Sequence, residues 1–136
     1  MSESVKNSKR QFRNIGLVDL TRYRFPIGSI VSILHRISGA LLFLSLPAML
    51  WLLQQSLYSE IAFEYFKGVT SHWFVRLLLL ALVWAYLHHL CAGVRHLLMD
   101  MHMGLEKPTS KQSGILVLSV SLTLTALVGL KLSGAF

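Results

Sequence analysis

Charged residues divide this chain into segments, three of which are long and contain no charge at all. Residues 37–59, 77–94 and 112–130 lack Asp, Glu, Lys and Arg over 23, 18 and 19 positions. A helix that crosses about 30 Å of hydrocarbon needs about 20 predominantly apolar residues. The pattern therefore predicts an all-α membrane protein with three transmembrane helices.

The predicted spans cover about residues 29–53, 73–97 and 112–132, in a single domain that takes in the whole chain. Pro26 is suited to the start of the first helix, because proline lacks the N–H that is unpaired in a first turn. Residues 117–125 alternate apolar and polar side chains as a strand would. A lone strand in lipid would leave its backbone groups unpaired, so the third span is predicted to be helical.

Composition and charge exclude several classes of protein. The chain is 54% hydrophobic and 14% charged, whereas soluble domains carry about 25% charged residues. Seven of the 13 basic residues precede the first uncharged stretch, and six of them lie in residues 1–28. This bias predicts a cytoplasmic tail and a periplasmic C-terminus, with residues 54–71 as the first periplasmic loop. The net charge of +7 thus indicates topology rather than a nucleic-acid partner.

The single cysteine, Cys91, lies inside the second predicted span. One cysteine provides neither a disulfide framework nor a cysteine-based zinc or iron–sulfur site.

Two polar clusters interrupt the apolar pattern, at the start of the first span (residues 32–39) and at the end of the second (residues 88–100). Ionisable groups at membrane depth are rare and usually functional. Because consecutive spans run in opposite directions, both clusters lie on the same side of the membrane. They are predicted to form one site.

In the second cluster, His88 and His89 point about 100° apart on a helix. Four positions share the face of His89: Ala85, Ala92, Gly93 and His96. Such a small-residue groove would admit a flat ring, and it favours His89 over His88 as an imidazole ligand of haem. The alternative is that these histidines only form hydrogen bonds between helices or extend towards the interface.

In the first cluster, Ser32 and Arg36 lie one helical turn apart on one face. A hydroxyl donor beside a fixed positive charge suits a carbonyl that gains negative charge on reduction, and it equally suits a carboxylate such as a haem propionate. The alternative is that Arg36 is an interfacial anchor.

The motifs Ser32-x-x-His35-Arg36-x-Ser38-Gly39 and His89-x-x-x-Gly93-Val94-Arg95-His96-Leu97-x-Met99-Asp100 together resemble the cytochrome b556 subunits of succinate dehydrogenase. The likeness covers nearly the whole chain. One departure is His102, which stands where the family usually has a small residue.

The resemblance implies a role for each matching residue. His89 would be one axial ligand of a b-type haem that is shared with a second small membrane anchor, whose histidine would be the other ligand. His35 and Arg36 would lie near the haem propionates, and Ser32 and Arg36 would help to form the ubiquinone site.

The resemblance also implies that Asp100 and Glu106 relay protons towards the quinone. The chain would have no catalytic activity of its own, and a flavoprotein and an iron–sulfur subunit would complete the complex. The expected location is the bacterial inner membrane rather than the mitochondrial one. Two alternatives remain open: a haem-free structural anchor and the anchor of a fumarate reductase.

Overall fold

The computed structural model describes residues 16, 18 and 22–134. Within residues 27–134 it contains four helices: α1 (Ile27–Tyr58), α2 (Glu60–Ser71), α3 (Trp73–Asp100) and α4 (Lys107–Leu132). Helices α1, α3 and α4 are long and apolar enough to cross a membrane, which confirms the prediction of an all-α membrane protein. Most of the predicted cytoplasmic tail lies outside the described residues.

Helix α1 begins directly after Pro26, as the sequence predicted. The Pro26 carbonyl accepts hydrogen bonds from the backbone N–H groups of Ser29 and Ile30, at 2.9 and 3.2 Å. The helix then continues for 32 residues through Pro47, which gives a length of about 48 Å at 1.5 Å per residue. Helix α1 is therefore longer than the hydrocarbon layer it has to cross.

The predicted connection between the first two spans, residues 54–71, is almost entirely helical. Helix α1 extends to Tyr58, and α2 begins after a single extended residue, Ser59, whose hydroxyl accepts a hydrogen bond from the N–H of Ala62 at 3.1 Å. Ala62, Phe66 and Val69 are half-buried at the i, i+4 and i+7 spacing of one helical face. The N-terminal cap and this short apolar face explain why a charged connection forms a helix.

Helix α3 packs between α1 and α4. The hydrophobic core takes one residue from each long helix: Val31, Ala92 and Val117. The strand-like segment of α4 is helical, as predicted. Within it, Ser121 and Thr125 are buried and donate hydrogen bonds to carbonyls three and four residues earlier, at 3.1 and 2.7 Å. These hydroxyls therefore pack inside the bundle without an unpaired polar group.

Helices α3 and α4 run in opposite directions. Arg95 near the end of α3 contacts Ser110 near the start of α4, whereas Leu80 near the start of α3 lies against Gly129 near the end of α4. The start of α1 reaches the same end of the bundle, because Gly28 also lies beside Arg95 and Ser110. This end of the bundle carries both polar clusters.

Candidate functional site

Three imidazole rings lie in contact where the two polar clusters meet. The ring centroids of His35 on α1 and His89 on α3 are 4.1 Å apart, and their planes are within 7° of parallel. The centroid of the His96 ring lies 5.0 Å from that of His35, and the two rings are tilted by 52°. The antiparallel arrangement of α1 and α3 thus brings together residues that are more than 50 positions apart in the sequence.

The half-buried imidazole of His89 is held at its Nδ1 atom. This nitrogen lies 3.1 Å from the backbone carbonyl oxygen of His35 and 3.3 Å from the hydroxyl oxygen of Ser38. Gly39 lies under the edge of the ring, so close that a Cβ atom there would be 2.8 Å from His89 Cε1. The immediate surroundings of His89 are therefore supplied by one turn of α1.

His88 has a different environment from its neighbour. Its side chain is completely buried, and within the part of the chain that the structure describes neither ring nitrogen makes a hydrogen bond of good geometry, although the backbone of Val31 lies near the ring. The Trp84 ring stacks on it, with centroids 5.3 Å apart. A large ligand has no approach to His88 without opening the helix bundle.

The predicted groove beside His89 does not form. Ala85 and Ala92 are 4% and 0% exposed and belong to the interior of the bundle. Gly93 faces α1, where a Cβ atom would lie 3.5 Å from His35 Nε2. The spacing of the small residues on α3 indicated an open groove, but residues 35–39 of α1 fill that space.

Ser32 lines an open cleft of about 660 Å³ between the start of α1, the end of α3 and the start of α4. Arg95, His96, Lys107 and Lys111 also line this cleft, which gives it a basic wall. Arg36 lies one turn further along α1, is exposed and is not among the residues that line the cleft.

Asp100 and Glu106, the predicted proton-relay residues, are both exposed. Asp100 is the last residue of α3, and Glu106 directly precedes α4. Neither side chain lines the cleft that contains Ser32, although Met99, Leu105 and Lys107 next to them do. The structure therefore places the two carboxyl groups at the rim of this region.

Arg95 is a buried residue whose contacts the sequence did not predict. Only 5% of it is exposed, and its guanidinium donates hydrogen bonds to the hydroxyls of Ser113 and Ser110, both at 3.0 Å. The signal that could have revealed it is its spacing from His88, because residues seven apart lie on one face of a helix. Arg95 connects α3 to the first turns of α4 and so holds the wall of the cleft.

Comparisons with known proteins agree with this architecture. The sequence model of a family described as "Succinate dehydrogenase/Fumarate reductase transmembrane subunit" matches residues 12–128. A relative from Coxiella burnetii, named succinate dehydrogenase cytochrome b556 subunit, is 38% identical over 114 residues, which cover 82% of this chain and 90% of the relative.

Two further relatives with the same name come from other bacteria. The protein from Paracoccus denitrificans is 33% identical over 105 residues, covering 77% of this chain and 81% of the relative. The protein from Rickettsia felis is 31% identical over 109 residues, covering 80% and 85%. These matches confirm the resemblance seen in the motifs, and the chain belongs to the family of transmembrane subunits of succinate dehydrogenase and fumarate reductase.

Proposed function

We propose that this chain is the cytochrome b subunit that anchors a succinate dehydrogenase in the bacterial inner membrane, holding a b-type haem through His89 and helping to form a ubiquinone site. The names of its relatives support the assignment to this enzyme. The observation that carries the haem assignment is the hydrogen bond at His89 Nδ1.

A carbonyl oxygen can only accept a hydrogen bond, so the Nδ1 atom that bonds the His35 carbonyl must carry the ring proton. In a neutral imidazole the other nitrogen, Nε2, then has a free lone pair. Histidines that bind metals commonly donate their second ring N–H to a carbonyl in this way. His89 is therefore held in the form that suits an iron ligand, whereas His88 is enclosed.

Other residues of the site also fit the group. His35 and the exposed Arg36 lie within one turn of the His89 contacts on α1, where a cation can bind a propionate. Bound at His89, haem b would supply a one-electron redox centre. His35 stacks on His89, and a histidine of the partner anchor subunit would complete the site, as the resemblance to the family implies.

Ubiquinone would bind near Ser32 and Arg36, towards the end of the bundle that faces the iron–sulfur subunit. Ser32 lines the open cleft and offers a hydroxyl donor, and Arg36 adds positive charge one turn away. Reduction of a quinone to a quinol consumes two protons, and Asp100 and Glu106 at the rim can pass protons from water. The N-terminus would be cytoplasmic and the C-terminus periplasmic. Succinate itself would be oxidised on the flavoprotein subunit.

The test uses the intact complex, purified from membranes with its co-purifying subunits identified. We expect a b-type haem spectrum in the parent complex and its loss in His89→Leu, with the spectrum kept in the matched control His88→Leu. Arg36→Leu should keep the haem and lower quinone reduction far more than succinate oxidation by an artificial acceptor.

An unchanged spectrum in His89→Leu would remove the haem assignment, and a parent complex without haem would support the alternative of a structural anchor. Equal losses in the two activities of Arg36→Leu would assign that residue to assembly. Co-purification with a flavoprotein that works as a fumarate reductase would change the direction of the reaction while leaving the role of His89 intact.

A further inference from the structure

The imidazole of His89 is surrounded by one short stretch of α1. These contacts come from residues 35–39 of α1, about a single turn, and they restrain the imidazole in three ways. The His35 ring covers one face at 4.1 Å, the His35 carbonyl and Ser38 hydroxyl hold Nδ1, and Gly39 lies against the Cε1 edge. Rotation of the ring would break at least one of these contacts.

Gly39 is the position where α1 leaves room for the ring. A Cβ atom at Gly39 would come within 2.8 Å of His89 Cε1 and 3.3 Å of Nδ1, and carbon atoms in contact prefer about 3.5–4.0 Å. The imidazole is itself fixed by the other two restraints, so it cannot move aside without losing them. In the middle of a helix, glycine is otherwise unfavourable by about 1 kcal/mol relative to alanine.

Ser38 acts on both groups that meet at Nδ1. It is 2% exposed, and its hydroxyl donates a hydrogen bond to the His35 carbonyl at 3.0 Å while its oxygen lies 3.3 Å from His89 Nδ1. The carbonyl and the hydroxyl together therefore provide two acceptors for the one N–H of His89. Such an arrangement fixes the plane of the ring as well as its tautomer.

We propose that Ser38 and Gly39 are positioning residues that set the plane and tautomer of the His89 imidazole within this chain alone, before any partner subunit contributes to the site. The proposal rests on the proposed function, since it takes His89 as a haem ligand. It extends that function by assigning the orientation of the ligand to a turn of α1. Pre-oriented ligands bind more tightly because less freedom is lost on binding.

The first test is Gly39→Ala in the intact complex, with Gly68→Ala as its matched control, because a Cβ at Gly68 meets nothing within 4 Å. Both changes improve helix propensity, so a loss confined to Gly39→Ala cannot come from a weaker helix. We expect the haem-to-flavin ratio to fall by about 10-fold or more in Gly39→Ala, the size typical of changes to groups that orient a metal ligand. Gly68→Ala should keep the parent ratio.

The second test is Ser38→Ala, which adds no atoms and serves if Gly39→Ala fails to assemble. Its matched control is Ser45→Ala on the same helix, whose hydroxyl also donates to a carbonyl three residues earlier, at 2.9 Å. We expect haem affinity to fall about 10-fold in Ser38→Ala. The largest g value in the electron paramagnetic resonance spectrum should shift or broaden, because it would respond to the orientation of an imidazole bound to the iron. Ser45→Ala should change neither.

The outcomes separate this proposal from the proposed function. If His89→Leu abolishes the haem signal while Gly39→Ala and Ser38→Ala keep both the parent haem content and the parent g values, the positioning role is overturned and the ligand stands. If His89→Leu keeps its haem, the ligand assignment itself fails. Loss of haem in both positioning variants, with an altered g value in whatever haem remains, supports the proposal.

Discussion

Helix α3 presents two faces of opposite character to the rest of the molecule. One face carries Ala85, His88, Ala92 and Arg95, all buried, at the 3- and 4-residue spacing of a helical stripe. The other carries His89, Gly93 and His96, all half-buried beside the His35 turn of α1. We call these the core face and the histidine face.

The comparison shows how little of a residue's chemistry is set by its type. His88 and His89 are neighbours in sequence, yet the first has two ring nitrogens in an apolar interior without a well-formed hydrogen bond to the described residues, and the second has its Nδ1 bonded to a carbonyl. Ala92 and Gly93 repeat the contrast one turn later. A rotation of about 100° per residue is what separates the buried position from the one whose ring nitrogen is bonded to α1.

The largest effect should come from filling the core face, with the histidine face as its control. Ala92 is 0% exposed between Val31 and Val117, so Ala92→Leu forces α1 and α4 apart and should lower the free energy of unfolding by about 1–3 kcal/mol. Gly93→Ala adds a Cβ at an ordinary 3.5 Å contact and improves helix propensity. It should leave stability unchanged or slightly higher.

Both values follow from unfolding of the complex in mixed micelles of increasing SDS content. Equal destabilisation by Ala92→Leu and Gly93→Ala would show that the two faces are packed alike, and the contrast between them would be lost.

A change of opposite sign is expected at His88. A buried polar group without a partner costs about 1–3 kcal/mol relative to an apolar group of the same shape. Leucine is such an apolar group, with a volume similar to that of histidine. His88→Leu should therefore raise the free energy of unfolding by about 1–2 kcal/mol, measured in the same micelles. A fall in stability would mean that the imidazole has a partner, such as the nearby backbone of Val31 or a buried water, and that the core face is not purely apolar at this position.

Much of the fold was predictable because charge and length decide it. An uncharged stretch of about 20 residues has few alternatives to a membrane helix, and this physical constraint overruled the strand-like alternation in α4. The helix α2 was not predictable from the same argument. It depends on the cap at Ser59 and on three half-buried side chains, whose partners on other helices cannot be read from a local pattern.

The candidate site, too, was predictable only in part. Adjacency of the two clusters followed from antiparallel spans. Helical spacing correctly placed Gly93 and His96 beside His89. It also placed Ala85 and Ala92 there, but these lie on the core face.

The contacts of Ser38 and Gly39 with His89 did not follow from the sequence, because they depend on how closely α1 approaches α3. Arg95 was recognisable as a charged residue at membrane depth. Its hydroxyl partners lie on another helix, α4, so they could not be inferred from the pattern of α3.

The smallest effect is expected at His102, which lies beyond the end of α3 and belongs to neither face. Its φ is 62°, and the loop closes with hydrogen bonds from the N–H of His102 to the Met99 carbonyl and from the N–H of Met103 to the Leu98 carbonyl, both at 3.0 Å. These two bonds form the helix-terminating motif that normally has glycine in the left-handed position. Glycine would also satisfy the small-residue pattern of the family, from which this chain departs.

His102→Gly should raise the free energy of unfolding by about 1 kcal/mol or less. A side chain in the left-handed conformation costs about 1–2 kcal/mol, and part of the gain from removing it is offset because glycine loses more entropy on folding. Unfolding in mixed micelles should show this gain with the haem spectrum and quinone activity unaltered. A loss of stability would mean that the imidazole of His102 makes a contact that outweighs the backbone strain, and the end of α3 would then have to be counted with the histidine face.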